Sequence, residues 1–341
     1  MMSDVVNTLK SRLSAYLTQS GGLPVTIEQA QPIAGGASRD TWLLEATLGG
    51  EKQRWVLRRD LPSVMIEHAL TREQEYTLIK AAYEHGVRAP RPRFLCSDPA
   101  VLGQPFFIMD FVEGVSIGRK VIQSPELAGA RAALPEQMAA QLARIHAIDP
   151  DANGLGFLPR PRAGFDPAQE ALAQARAMLD MLDAHNPAFE FGLRWCEQHA
   201  PAAARVTLAH GDFRIGNLLV AAQGLAAVID WEFGHIGDPL EELGYPCMRD
   251  WRFGNGHLHF AGLCERERFL RAYEAESGVQ VERAAVDWWE IMGNLRWGAT
   301  CLAQANRHLS GKDVSVEYAS LGRRAAEMQL EMLRLIQARG L

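Results

Sequence analysis

Cysteine is scarce and unpaired in this chain of 341 residues: Cys96, Cys196, Cys247, Cys264 and Cys301 are odd in number and form no Cys-x-x-Cys pair. That spacing reads as reduced structural thiols in a cytoplasmic protein. Positive charge is not in excess either. With 35 Lys plus Arg against 41 Asp plus Glu the net charge is −6, so no overall basic field draws the chain to nucleic acid or to an anionic membrane. No apolar run approaches the ~20 residues that a membrane helix needs. Residues 1–20 mix acidic and basic groups and lack the apolar stretch of a signal peptide. Internal repeats and low-complexity tracts are missing as well. What is present is a composition 48% hydrophobic and 22% charged, ordinary for a soluble globular protein. The length suffices for two ordinary domains or one large bilobal unit with a sizeable core.

The pattern along the chain changes character once. Val5, Leu9, Leu13 and Leu17 recur every four residues, as on an amphipathic helix, and Gly21-Gly22 end it. From Val25 to Leu61 the pattern shortens to strands, with Thr41–Leu44 and Trp55–Leu57 flanking the turn Leu48-Gly49-Gly50-Glu51. Thr71 to Glu84 reads as a helix with Leu70, Leu78, Ile79 and Ala82 on one face. Pro90, Pro92 and Pro99 then mark a loop before a strand pair ending in Phe106–Met109. Beyond Gly114 the chain turns to Ala-, Leu- and Arg-rich helices, about 135–148, 168–200 and 265–338, with a strand–loop–strand island at Val206–Trp231. The expected fold class is α+β: an N-terminal helix over 1–22, a small antiparallel-sheet lobe over 23–112, and a larger, mainly helical lobe over 113–341.

The island carries the chemistry. It reads His210-Gly211-Asp212-Phe213-Arg214-Ile215-Gly216-Asn217, then two short apolar strands, Leu218–Val220 and Ala226–Ile229, then Asp230-Trp231-Glu232. Asn217 precedes the first strand of a hairpin and Asp230 follows the second, so the two meet at one end of it. An amide oxygen and a carboxylate oxygen placed together suit magnesium, a hard cation that takes few protein oxygens and keeps positions for water and phosphate. Asp212, on the loop entering the same end, is placed to accept the proton of an attacking hydroxyl.

His-Gly-Asp-x-x-x-x-Asn followed by Ile-Asp-Trp-Glu resembles the aminoglycoside phosphotransferase/choline kinase family, whose fold is that of a protein kinase in two lobes. The resemblance runs from about Ile33 to the final helices. It is nearest a bacterial branch akin to the kinase-like domain fused to some acyl-CoA dehydrogenases, on Gly35–Trp42, Val56–Arg59 and Val101–Gly114. It implies an ATP- and magnesium-dependent transfer of a phosphoryl group to a small-molecule hydroxyl. Asp212 would be the catalytic base, Asn217 and Asp230 the magnesium ligands, and His210 a structural brace.

On the nucleotide side, the Gly-rich turn Ala34-Gly35-Gly36-Ala37-Ser38 stands where protein kinases cover the ATP phosphates, with Gly35, Gly36 and Ser38 as the phosphate contacts. No G-x-x-x-x-G-K-[S/T] loop occurs. Strand alternation puts Val56 and Arg58 on one face. Arg58 occupies the position where the family commonly has a phosphate-binding lysine, and its guanidinium clamps phosphate differently. Glu75 shares the apolar stripe of its helix and is its expected partner; Glu73 lies well round the helix. Adenine is expected to bond backbone groups from Asp110 to Val112. Gly237-Asp238-Pro239-Leu240-Glu241-Glu242-Leu243 resembles a family segment that braces the catalytic loop, with Glu242 in place of an aspartate.

Acceptor residues are less legible. The loop Asp250–His259 and the helix bearing Trp288, Trp289, Asn294, Arg296 and Trp297 are candidates for walls of the cleft, although a tryptophan stripe is more often core. Arg249, Arg252 and Arg266 are interspersed with Asp250 and Glu265, so no carboxylate cluster suits a cationic aminoglycoside; a hydroxylated metabolite or acyl derivative fits as well. The competing reading is a catalytically silent nucleotide- or acyl-CoA-binding module, against which every acidic position the chemistry needs is filled. No activation segment ending in Ala-Pro-Glu marks a protein-substrate kinase. A monomer or homodimer is expected, with no nucleic-acid or membrane partner.

Overall fold

Leu9, Leu13 and Leu17 are buried on the inner stripe of α1 (Met2–Gly21). Hydroxyls on the same helix tie it to β1 (Val25–Pro32): Ser14 accepts from the Ile27 N–H at 2.9 Å and Thr18 from the Val25 N–H at 2.9 Å. The computed structural model describes residues 2–33, 39–60, 69–312 and 314–340. Strands β2 (Arg39–Leu48) and β3 (Glu51–Asp60) pair along their whole length around Gly49 and Gly50, whose φ values of 58° and 95° suit glycine.

Helix α2 (Arg72–Glu84) starts at a capping box, in which the Thr71 hydroxyl accepts from the Gln74 N–H and the Gln74 side chain accepts from the Thr71 N–H. After β4 (Pro92–Cys96) and the short α3 (Pro99–Leu102), β5 (Phe106–Asp110) inserts between β3 and β4. The five-stranded antiparallel sheet therefore runs β1-β2-β3-β5-β4.

Both faces of this sheet are apolar, and the alternation of side chains sorts them. Trp55, Leu57, Phe106 and Ile108 pack with α1, whereas Val56, Phe107 and Met109 join a second core that also contains Leu78 and Ile79 of α2 and residues of the helical lobe. Arg58 follows Val56 by two, so it too faces the helical lobe. The second core is continuous across the change of character near Gly114.

The helical lobe opens with α4 (Gly118–Gln123) and α5 (Ala128–His146). The spacing predicts a start for this helix at Pro135, but Pro135 lies inside it. Leu127, Ala130 and Leu134 join the core, and their burial carries the helix through the proline. The expected 168–200 helix is two, α6 (Pro167–Met181) and α7 (Pro187–Gln198). The island supplies β6 (Thr207–Ala209), β7 (Leu218–Ala221), β8 (Gly224–Val228) and β9 (His235–Gly237); β6 pairs with β9 and β7 with β8. The hairpin turn is shorter than its composition suggests, because Ala221 and Gly224 are themselves paired.

A short helix α8 (Glu241–Gly244), then α9 (Arg266–Ser277), the 27-residue α10 (Arg283–Leu309), α11 (Val316–Leu321) and α12 (Arg324–Gln337) complete the chain. Trp288 and Trp289 are core residues packed with α6, α7 and α12. All five cysteines are free and buried. Among the described residues no helix is long and apolar enough to cross a membrane.

Candidate active site

The loop after β6 is fixed from behind by one carboxylate. Glu242 Oε2 accepts from the His210 N–H at 2.9 Å and Oε1 from the Gly211 N–H at 3.0 Å. Glu242 is itself held by His146 Nε2 at 3.0 Å, whose Nδ1 meets the Tyr273 hydroxyl at 2.8 Å. Arg205 donates to that hydroxyl at 2.6 Å. The chain of donors is thus directed: Arg205 to Tyr273, Tyr273 to His146, His146 to Glu242. Gly211 has φ of 87°, and a β-carbon there would lie 2.1 Å from the Phe233 carbonyl oxygen, so only glycine fits.

His210 is committed to the loop. Its Nε2 donates to the Ile229 carbonyl at 3.0 Å and its Nδ1 accepts from the Asp212 N–H at 3.3 Å. This is the bracing role expected of it.

The β7–β8 hairpin brings its two ends together as the sequence pattern requires. Leu218 pairs with Val228, and the Ile229 N–H donates to the Asn217 carbonyl at 2.9 Å. Helix α5 supports the hairpin from outside, with Gln137 Oε1 accepting from the Leu225 N–H at 2.7 Å. Asn217 Nδ2 donates to the Asp212 carbonyl at 2.9 Å and to Asp212 Oδ2 at 2.6 Å, which leaves the amide oxygen as its other branch. Arg214 Nε donates to Asp212 Oδ1 at 3.0 Å while its guanidinium lies 4.6 Å from the Trp251 ring centroid. Burial first, then the negative Asp212, pushes the Tyr245 phenol well above its usual range, which keeps it neutral. Asp230 sits at φ of 70°, in the left-handed region, which few non-glycine residues adopt and which Asp tolerates better than most.

Across from the hairpin, Arg58 of β3 reaches Asp230 directly, Nη2 to Oδ1 at 2.9 Å. Its Nη1 lies 3.5 Å from Glu75 Oε1 and its Nη2 3.8 Å from Glu232 Oε2. Glu75 is fully buried and its other oxygen pairs with Arg72, which also meets Asp60 at 3.0 Å. Burial alone would raise the Asp230 carboxyl, but Arg58 above all, with His210 and Arg214, holds it below the usual carboxylate range. Arg58 is held charged in turn: burial opposes its charge, and Glu75, Asp230 and Glu232 outweigh that.

Of the residues singled out in the sequence, Asp212, Asn217, Asp230, Arg58 and Glu75 come together at this junction. Glu73 is exposed. Gly35, Gly36 and Ser38 lie outside the described residues. Asp110 binds Arg93 through both carboxylate oxygens, at 2.6 and 2.9 Å, and the Asp110 and Phe111 N–H groups go to the carbonyls of Arg91 and Arg54. Val112 is the residue of that segment whose N–H meets no acceptor among the described residues. Asp238 accepts from the Leu240 N–H and from Trp289 Nε1, both inside the helical lobe. Arg72, Arg214 and His146 were not anticipated. Arg72 was within reach of the reasoning used for Glu75, since three residues apart on a helix is one face.

The donor set fits a magnesium ion. It offers one amide oxygen and one carboxylate at an open hairpin end, and four carboxylates (Asp60, Glu75, Asp230, Glu232) face two guanidiniums (Arg58, Arg72). Negative charge is therefore in excess where a divalent cation would sit. Among the described residues no group of three or more His, Cys, Asp and Glu side chains could hold a metal unaided, so further ligands would come from phosphate and water.

Mouse acyl-CoA dehydrogenase family member 10 is 31% identical over 206 residues, which is 57% of this chain and 18% of that protein. This chain thus spans less than a fifth of that relative's length. A Ralstonia eutropha protein assigned as an aminoglycoside phosphotransferase superposes with a TM-score of 0.77 at 22% identity, covering 96% of this chain and 98% of that one. Spectinomycin phosphotransferase, solved with ADP and spectinomycin, gives a TM-score of 0.58 at 14% identity over 94% of this chain and 98% of its own. These likenesses establish the fold as bilobal and kinase-like. The model of the phosphotransferase enzyme family matches residues 29–289, a span that takes in most of the sheet, the hairpin and Glu242, and the chain belongs to that family.

Proposed function

We propose that the protein transfers the γ-phosphoryl group of ATP to a hydroxyl of a small molecule, with magnesium. The observation that carries this reading is the meeting of Asp212, Asn217 and Asp230 at one hairpin end, facing Arg58. The substrate hydroxyl oxygen bonds to the γ-phosphorus, the bond to the β,γ-bridging oxygen breaks, and ADP leaves with that electron pair. Asp212 accepts the hydroxyl proton and holds the oxygen in line. Arg214 and Asn217 orient the Asp212 carboxylate through its two oxygens. Arg58 binds phosphate oxygens, and Glu75 with Arg72 sets its position. Magnesium, held by Asn217 and Asp230, supplies charge neutralisation on the phosphates. Family membership and the ADP bound to a structural neighbour support nucleotide use.

The test is ADP release over a broad panel of hydroxyl compounds. Turnover should appear for some of them, and Asp212→Asn should lower kcat by about 10²–10⁴-fold. Thermal melting with ADP should show a magnesium-dependent shift that Asp230→Ala removes. Magnesium-independent nucleotide binding with no turnover on any compound would instead identify a silent binding module.

A further inference from the structure

A half-open cleft of about 520 Å³ lies in the helical lobe between α4, the turn Arg249–Arg252 and α12. Four arginines line it: Arg119, Arg249, Arg324 and Arg334. Its carboxylates do not cancel them at the surface. Asp250 is buried beneath Arg324, which it meets at 2.5 Å, and accepts from Trp297 Nε1 at 2.6 Å. Glu331 lies 3.8 Å from Arg249 and 3.9 Å from Arg334, so two guanidiniums share one carboxylate at long range. The side chains of Arg249, Arg324 and Arg334 are 58%, 43% and 55% exposed, whereas those of Asp250 and Glu331 are 2% and 9% exposed. Asp250 and Glu331 therefore lie behind the guanidiniums, and at the opening the cations outnumber the one exposed carboxylate, Glu327. Arg119 is exposed, and among the described residues it bonds to the neutral Gln123. Glu327, the third carboxylate of the cleft, is exposed, so four guanidiniums face three carboxylates and the lining keeps a net positive charge. Phe253 and Leu330 add apolar wall, Leu330 with half of its surface bare.

This cleft shares a wall with the catalytic loop. Trp251, next to Asp250, carries the Arg214 guanidinium that holds Asp212. On the other side, Gly118 of α4 is wedged between Phe253 of the cleft and Ile215 of the loop: a β-carbon there would lie 2.4 Å from the Phe253 ring and 3.0 Å from the Ile215 side chain.

We propose that the cleft receives the anionic end of the phosphoryl acceptor, so that the substrate is a hydroxylated organic anion, carboxylate or phosphate, with an apolar segment against Phe253 and Leu330. The proposal rests on the phosphotransferase reading of Asp212. Guanidiniums bind carboxylate and phosphate oxygens in two-pronged fashion, and four exposed ones around one mouth repel a polycationic sugar.

The test offers hydroxycarboxylates and hydroxyalkyl phosphates of increasing chain length, each beside its methyl ester or dephosphorylated alcohol, together with a polyamine sugar. ADP release is followed with ATP and magnesium. The expected result is turnover confined to the anions, with the better anion identifying carboxylate or phosphate. Their KM should rise roughly tenfold or more in Arg119→Met and in Arg334→Met, and stay put in Arg12→Met, an exposed arginine on α1. Equal kcat/KM for charged and neutral members, preference for the polyamine sugar, or a KM that ignores both cleft arginines overturns the proposal.

If no compound is turned over, calorimetric titration of the same phosphates and carboxylates into the full chain decides. Binding that the Arg119→Met/Arg334→Met double variant loses supports the proposal, and absence of binding refutes it. Failure of the phosphotransferase reading is seen separately, as a missing magnesium-dependent ADP shift in melting, a measurement the cleft does not enter.

Discussion

Replacing Glu242 by glutamine tests whether the loop that carries Asp212 is positioned from behind. The carboxylate makes three hydrogen bonds, with the His210 N–H, the Gly211 N–H and His146 Nε2. Glutamine keeps one acceptor oxygen and puts a donor in place of the other. The less costly orientation keeps oxygen toward His210 and His146 and turns the NH₂ against the Gly211 N–H. One charge-assisted bond is then lost, two are weakened and two donors confront each other, which we expect to cost about 2–4 kcal/mol. With an unfolding entropy of about 2.1 cal/mol/K per residue, that lowers Tm by roughly 3–6 °C. The loop would shift by a fraction of an ångström at Gly211, next to Asp212. Under the proposed function, misplacement of a reacting group on that scale costs roughly 10–100-fold in kcat, with KM for ATP little changed because Arg58 would bind it from the other lobe. Calorimetric melting and steady-state ADP release measure both effects. A variant that melts as predicted but keeps kcat within twofold would refute the positioning role, and one that changes only KM for ATP would place the fault elsewhere.

The two remaining predictions concern buried carboxylates. Glu75→Gln breaks a buried pair with Arg72 and Arg58 and should destabilise by about 3–5 kcal/mol, whereas exposed Glu73→Gln should stay within about 0.5 kcal/mol; equal melting shifts would show that the helix face was misread. Burial, opposed by Arg252 and Arg266, raises the Glu290 carboxyl from its ordinary 4.5 to about 7. The unfolded chain therefore loses that proton first, and Glu290 makes stability fall as pH rises from 4.5 to about 7 and level off above. Glu290→Gln should remove this slope, at most about 3 kcal/mol across the window, and denaturant melts of both proteins at several pH values will reveal whether it persists.

The candidate site was legible where it is local. Asn217 and Asp230 flank one hairpin, and pairing of Leu218 with Val228 forces them together whatever the rest of the chain does. Arg58 was placed by alternation with Val56, and Glu75 by the stripe it shares with Leu78 and Ile79. Longer-range choices were not legible. Arg58 and Asp230 are 172 residues apart, and charge alone does not select one carboxylate among the many available to a guanidinium. The insertion of β5 between β3 and β4 follows from which apolar faces meet, which no local pattern encodes. Pro135 misled because proline favours the first turn of a helix, while burial of Leu127, Ala130 and Leu134 extends α5 past it. Trp288 and Trp289 face the core, where tryptophan stripes more often lie, and not a cleft.

Arginine at position 58 has a consequence that lysine would not. A single ammonium is a point charge, whereas the fork of Arg58 presents one nitrogen to Glu75 within its own lobe and another to Asp230 in the opposite lobe. The pair therefore ties the sheet to the β7–β8 hairpin before any ligand arrives. Arg72 completes the arrangement, because the second oxygen of buried Glu75 needs a cation that a fork pointed at Asp230 does not supply. Phosphate oxygens and Asp230 then compete for the same Nη2, and a divalent ion competes for the same carboxylate. Entry of either ligand releases the partner that the other one binds, so under the proposed function nucleotide and magnesium bind with positive coupling through this one ion pair.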